Sequence, residues 1–324
     1  MIRPIRVLAA AVLAACAAGA SAQNYPAKPV NMIVPFAAGG PTDIVARQLG
    51  QAMSKPLGGT IIVENKPGAG GTIAAEFVAK AAPDGYTVLI HHIGMSTAPA
   101  LYRTLRFNPM NDYEYIGQVV DVPMTLVAKK DFPPNNFKEL LPYLKANANK
   151  INLANAGLGA ASHLCGLMFM SAIQVDLQTV PYKGTAPAMT DLQGGQVDLL
   201  CDQSTQTTEI IKGGRIKALG ATTLTRIASL PNLPTLDEQG MKGFEVAIWH
   251  GVYAPKNTPK PAVDKLVKAL QDGVKDPGFK SAMDKLGAIS LAPAKITPDG
   301  LKNHLKAEID KWGPVIKKAG QYAD

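Results

Sequence analysis

The sequence predicts an α/β chain of two domains built on parallel sheets. Three observations point there. Short runs rich in Val, Ile and Leu alternate with longer amphipathic stretches, the β-α-β order of a parallel sheet. Several of the short runs are apolar throughout, as in strands covered on both faces. The mature chain of roughly 300 residues is too long for one small core and suits two.

The first 22 residues are read as a leader, not as part of the fold. Arg3 and Arg6 precede an apolar run from Val7, and Ala20-Ser21-Ala22 ends it. A basic start, an apolar stretch and small residues at the end form a secretory signal peptide, cleaved before Gln23. Leu13-Ala14-Ala15-Cys16 also resembles a lipobox, so a lipid anchor at Cys16 is the alternative to a soluble product. Either form works outside the cytoplasm, in the periplasm.

Charge narrows the partners. The whole chain carries +8, and losing the leader's two arginines leaves 31 basic against 25 acidic residues, or +6. The charge is spread, with no basic stripe interleaved with aromatics, so no nucleic-acid binding is expected. A mildly basic exported protein suits small anions. No second apolar stretch reaches the roughly 20 residues needed to span a bilayer. A monomer is expected. Cys165 and Cys201 remain after export, where they either pair or stay as two buried thiols. Their spacing does not decide between the two.

Strands are expected over 30–35, 60–64, 86–92, 114–120, 124–129, 151–155, 175–181, 197–201, 216–221 and 245–253. Helices are expected over 42–54, 72–82, 136–147, 161–172, 186–193 and 204–212. In 136–147, Leu140, Leu141 and Leu144 make one apolar stripe while Lys138, Glu139 and Lys145 stay polar. Thr235-Leu-Asp-Glu238 reads as a capping box. From Thr258 the chain turns helical, over 260–275, 277–286 and 298–319, with Thr297 as cap and Pro298 at the first helical position. A helical tail after ten strands must pack on something already made, here the first domain. The chain then crosses between domains twice, near Val122–Lys129 and Phe244–Pro255. That divides it into 23–124 with 248–324, and 125–247.

Four strand ends share one feature, a small-residue loop that opens a helix. They are Phe36-Ala-Ala-Gly39-Gly40-Pro41-Thr42-Asp43, then Gly68-Ala69-Gly70-Gly71-Thr72, then Gly157-Leu-Gly-Ala-Ala-Ser162-His163, then Tyr182-Lys-Gly-Thr185. In a parallel sheet such loops gather at one edge, where ligands bind. A helix start offers unpaired N–H groups and about half a positive charge. Glycine lets an anion approach that backbone. Two such loops on each side of a cleft would clamp a carboxylate or phosphate. The plainer alternative is glycine used only for turning.

Other chemistry is thin. Gly68-Ala-Gly-Gly71 lacks the dinucleotide-binding spacing and no phosphate-loop motif occurs, so no nucleotide cofactor is expected. Ser162 and His163 are sequence neighbours, whereas a catalytic triad joins separate elements, and no G-x-S-x-G occurs. No metal-ligand spacing is present. His91 and His92 end a strand and point to opposite faces, so only one meets the cleft. Asp43 suits the helix macrodipole, a general base or a ligand contact. Asp202 and Gln203 follow a strand and should reach the cleft, where an acid binds a ligand amine or water, or caps the helix from Ser204. Trp249 and His250 lie on the second crossing, and one of them should face the cleft.

Four stretches together resemble a family. "YPAKPVNMIVPFAAGGPTDIVARQ", "ENKPGAGGTIAAEFVAKAAPDGYTVLI", "GLGAASHLCGLMF" and "VPYKGTAPAMTDLQGGQVDLL" are similar, in order, to the signatures of the tripartite tricarboxylate transporter receptors, the Bug or TctC-like periplasmic binding proteins. The resemblance covers the mature chain. It implies a type II periplasmic binding fold, a Venus flytrap of two α/β domains joined by two crossing strands. It implies a bound carboxylate, held by backbone groups and waters at loops that here are Phe36–Asp43 and Gly68–Thr72, with Ser162 and His163 answering from the second domain. It implies two integral membrane proteins as partners. The chain departs from the family pattern at His91–Pro99, where small residues are usual. Two rings and the Ser96 hydroxyl there suit a second carboxylate or an aromatic acid.

The expected function is therefore capture, not catalysis. One carboxylate docks on the helix starts at Thr42 and Thr72, and the second domain closes by hinge rotation. A few charge-assisted bonds of roughly 1.5–3 kcal/mol each reach micromolar affinity, near −8 kcal/mol, after association costs. The rivals are a secreted hydrolase using Ser162, His163 or Asp202, and a ligand sensor that signals without transport. Candidate ligands are di- and tricarboxylates, acidic amino acids, and aromatic acids such as benzene dicarboxylates of the terephthalate type or nicotinate-like compounds.

Overall fold

The structure, a computed structural model, describes residues 25–319. The expected leader and Cys16 lie outside the described residues. Ten α-helices and nine strands are described. Each half of the chain builds its own part of the sheet. In the first, β1 (Val30–Val34) lies between β2 (Ile61–Asn65) and β3 (Thr87–His92), all parallel. In the second, β5 (Asn152–Asn155) lies between β6 (Gln178–Pro181) and β7 (Leu199–Gln203), again parallel. All but two of the 16 residues of β4 (Tyr113–Ala128) are buried, and β4 joins the two parts. Its stretch from Tyr113 to Pro123 pairs with β9 (Ala247–Pro255), and from Met124 on it pairs with β7 and with β8 (Lys217–Ala221).

The sheet is mixed, not parallel throughout. The strand β9 runs antiparallel to both β3 and β4, and β4 antiparallel to β7 and β8. A strand that leaves one lobe to enter the other arrives from the opposite end, so its direction reverses relative to the crossover strands. The two expected strands at 114–120 and 124–129 are the single strand β4. Pro123 sits where β4 changes partner, a place where a missing backbone donor is tolerated. The expected strand at 175–181 begins only at Gln178.

Helices cover the sheet where their apolar stripes predict. Helix α1 (Pro41–Leu57) buries Val45, Ala46, Leu49, Met53 and Leu57 with Val30, Met32 and Val34 of β1. Full burial of each large side chain contributes about 1.5–3 kcal/mol. Helix α2 is Thr72–Ala79. Helix α3 (Gly94–Leu101) was not expected, because Gly94, Ser96 and Pro99 break any amphipathic stripe; six of its eight residues are buried. Helices α4 (Phe137–Asn147), α5 (Ala161–Ile173), α6 (Thr185–Gln193) and α7 (Ser204–Lys212) dress the second half. The expected capping box forms, with Thr235 N–H donating to Glu238 Oε2 at 2.7 Å and Glu238 N–H to Thr235 Oγ1 at 2.9 Å, but it closes a turn and starts no helix.

The tail consists of α8 (Lys260–Gly273), α9 (Pro277–Lys285) and α10 (Pro298–Ala319). Thr297 caps α10, accepting the Gly300 amide at 3.0 Å. Helix α8 packs on α1, and α10 on α3 and β4, as a tail added to the first half should. Its last turn goes further. Val315 and Ile316 share a groove with Leu164 and Met168 of α5 and with Phe244, so the tail touches both halves. A disulfide joins Cys165 of α5 to Cys201 of β7.

Candidate functional site

Two parallel strands end on either side of a narrow space between the lobes. From the first lobe it is walled by Phe36 after β1, Pro41 and Thr42 at the start of α1, and His92 at the end of β3. From the second it is walled by Ala156, by Ala161 and Ser162 at the start of α5, by Thr185 at the start of α6, and by Asp202 and Gln203 at the end of β7. Three helix starts thus converge on it. The cavity measures about 10 Å³, room for roughly one water. The lobes are closed.

The first of the four small-residue loops is a tight corner. Gly39 has φ +80°, a left-handed turn that side chains disfavour. Gly40 has an ordinary φ of −79° and faces Thr185 and Ala186 of the other lobe, so its smallness serves lobe contact. Pro41 stands at N1, where no amide is needed. Thr42 and Asp43 follow, whose amides the helix leaves without intrahelical partners. The Gly39 amide is already taken: it donates to Asp43 Oδ2 at 2.9 Å. Asp43 also accepts from Arg47 Nε at 2.9 Å and Asn65 Nδ2 at 2.9 Å. Although burial opposes it, these donors hold its carboxyl below the usual carboxylate range. Asp43 therefore braces the corner and does not line the cavity.

Histidines floor the first lobe. Phe36 stacks on His92 at 4.7 Å between centroids, and His250 lies edge-on to His92 at 6.0 Å. Nδ1 of His92 accepts the Gly94 amide at 3.0 Å, which places its proton on Nε2. His250 Nε2 lies 3.4 Å from Thr42 Oγ1. Burial keeps these rings neutral, with His91 pushed down to about 4, His250 to about 3, and His92 well below its ordinary value. His250, not Trp249, takes the cleft-facing position of β9. Trp249 turns to the other face, with its ring 5.0 Å from His304 of α10.

The second lobe presents Asp202. It has no exposure, and neither carboxylate oxygen has a partner of normal geometry. Burial raises it to about 7, against weak opposition from the Gln203 amide and the Thr185 hydroxyl. Gln203 Oε1 is likewise buried and unpartnered. Ser162 Oγ accepts the Ala156 amide at 2.7 Å, and His163 Nδ1 the Gly159 amide at 3.3 Å, so both hold their own loop. Burial takes His163 down to about 4.

The second glycine loop lies elsewhere. Ala69, Gly70 and Tyr182 line an outer groove of about 600 Å³ with Tyr102, Gly157 and Leu158, at the rim where the lobes touch. The Tyr102 hydroxyl lies 2.6 Å from the Ala69 carbonyl and 3.0 Å from that of Leu158. Gly68 packs under Ile73 and Gly71 against His91. Thr72 Oγ1 bonds back to Ala69 O at 2.9 Å, and Thr72 is not among the residues that line the inner cavity. Ser96 bonds Ile93 O at 2.7 Å within α3. Of the expected residues, the structure brings together Phe36, Pro41, Thr42, His92, Ser162, Asp202 and Gln203. It adds Ala156, Ala161 and Thr185. Thr185 carried a signal, as the residue after the fourth glycine corner; the two alanines carried none.

Two α/β lobes closing on a space walled by helix starts define a receptor of the periplasmic solute-binding type. Residues 45–321 match the tripartite tricarboxylate transporter family receptor, TctC, and the chain belongs to that family. It is 58% identical to the periplasmic binding protein BugD over 93% of this chain and 100% of that one, with a TM-score of 0.90. MatC from Rhodopseudomonas palustris, solved with bound malate, is 37% identical over 90% of this chain and 100% of its own, at 0.87. A further R. palustris protein, solved with adipate, is 32% identical over 91% and 98%, at 0.85. The fold is the Venus flytrap of two α/β domains that such receptors share.

Proposed function

We propose that this chain captures a small organic carboxylate, first of all a dicarboxylate, in the periplasm and delivers it to the two membrane proteins of a tripartite tricarboxylate-type transporter. The observation that carries the reading is the cavity itself. Helix starts from both lobes face it, and its lining includes no Lys or Arg. Anion recognition there falls to backbone amides and the helix dipoles of α1 and α5. The malate and adipate bound by two relatives support a dicarboxylate. No helix among the described residues is long and apolar enough to cross a membrane.

The closed cavity is too small for any of these acids, so entry requires the lobes to part. They divide near Met124 and Ile248, and rotation about the two crossing strands opens the cleft. Reclosure over the ligand presents a surface made of both lobes to the membrane partner. The protein acts as a monomer.

A hydrolase is disfavoured by a specific geometry: the Ser162 hydroxyl and the His163 ring are each engaged by an amide of their own loop and do not bond each other. A thermal-shift screen of the purified protein against malate, adipate, citrate and terephthalate tests the reading. Ligand at ~100 times its dissociation constant adds about 2.7 kcal/mol of stability. A melting temperature unmoved by all four acids would count against it.

A further inference from the structure

Asp202 is the one ionisable group in the cavity lining besides His92. It is fully buried, neither of its carboxylate oxygens has a partner of normal geometry, and the neighbouring Gln203 Oε1 is also bare. A buried anion so weakly paired is strongly disfavoured. No Lys or Arg lines the cavity to relieve it.

Thr42 of the first lobe and Asp202 of the second line the same narrow space. A dicarboxylate that docks one end on the start of α1 therefore has Asp202 on the facing wall for its other end. Two carboxylates in contact share a proton, since both cannot remain ionised side by side. Resting on the dicarboxylate reading above, we propose that Asp202 makes capture proton-coupled: closure over a dianion takes one proton from solvent, held between Asp202 and the ligand's distal carboxylate, and opening returns it. His92, with its proton fixed on Nε2, faces the same space as a neutral donor to that oxygen.

The surrounding groups leave Asp202 as the site of the exchange. On β3 and β9, His92 and His250 stay neutral because burial pushes them down. On α5, His163 is likewise held neutral. On α1, Asp43 is tied to Arg47 and keeps its charge. Thr185 on α6, Thr125 on β4 and Ser204 on α7 carry none. Asp202 alone is raised into the neutral range, to about 7. The linkage of one proton weakens binding tenfold per pH unit above that value.

Isothermal titration of the mature protein with malate, adipate and terephthalate, in two buffers of different ionisation enthalpy, counts the protons. The expected result is an uptake of about half a proton per ligand at pH 7, rising toward one in alkali, where affinity falls tenfold per pH unit. In Asp202→Asn the uptake should vanish and the affinity become independent of pH. Binding by the wild-type protein with no uptake, or the same uptake in Asp202→Asn, would overturn the inference and leave the capture reading intact. No binding of any of the three acids would overturn both. Should the variant fail to fold, the wild-type proton count and pH slope decide by themselves.

Discussion

Gly70 of the first lobe and Leu158 of the second meet backbone to backbone, so closely that a Cβ on Gly70 would overlap the Leu158 carbonyl oxygen. The closed state therefore has a steric requirement at its rim, separate from the ligand's own contacts. It gives a way to damage closure without touching the cavity wall.

Gly70→Ala should weaken ligand binding by at least tenfold. The residue also has φ +59°, so alanine there costs about 1–2 kcal/mol in backbone conformation alone. Gly195→Ala is the control, with φ +74° and open space around it. Melting curves of the free proteins should show similar losses for both variants, while calorimetry should show weakened binding only for Gly70→Ala. Equal affinities would mean the rim contact is irrelevant to capture.

Tyr102 spans the same rim, its hydroxyl shared between carbonyls of both lobes. Tyr102→Phe keeps the ring and removes one hydrogen bond of about 1 kcal/mol. Affinity should fall roughly fivefold, by that same energy. Stopped-flow measurement should place the loss mainly in the dissociation rate, because the contact forms only after closure. A change confined to the association rate would contradict this.

Stability should fall in acid. His91, His92, His163 and His250 have folded values below their ordinary one, to about 4 for His91 and His163. Each contributes stability that is fully present above the ordinary value and is lost as pH falls below about 6.5, up to about 3 kcal/mol for each of His91 and His163. Asp202 acts in the opposite sense: raised to about 7, its contribution is present in acid and is lost as pH rises from about 4 through 7. Four groups outweigh one, so urea midpoints should drop from pH 7 to pH 4.5. A flat profile there would show that the rings are solvated.

The Cys165–Cys201 bridge closes a 36-residue separation and ties α5 to β7, the two elements that carry Ser162 and Asp202. Replacing both cysteines by alanine should lower stability by about 3–4 kcal/mol on the loop-entropy relation. Denaturant melts of oxidised, reduced and double-alanine protein check it, with the last two expected to agree.

Much of this was legible because it rests on local chemistry. The apolar runs of β1, β3 and β7 read as covered strands, and Thr297 caps a helix where its hydroxyl demands. The glycine corners were visible as corners. What each glycine does was not: Gly39 serves a turn, whereas Gly40 faces α6 and Gly70 meets the other lobe, contacts made with residues far away in the sequence. Strand direction leaves no mark on side-chain pattern, so the reversal of β4 and β9 was hidden. The choice between Trp249 and His250 turned on a one-residue parity that only the pairing of His92 with His250 settles. Helix α3 escaped because its residues are buried nearly all round and show no stripe.

The account stands on amides receiving a carboxylate between the lobes. A crystal structure of the mature protein with malate tests that most directly. It should place one carboxylate within hydrogen-bonding reach of the Thr42 and Ser162 amides, directly or through one water, with His92 and Asp202 at the other end. Malate bound outside the space between Phe36 and Asp202, or inside it but held by lysine or arginine side chains, would contradict it.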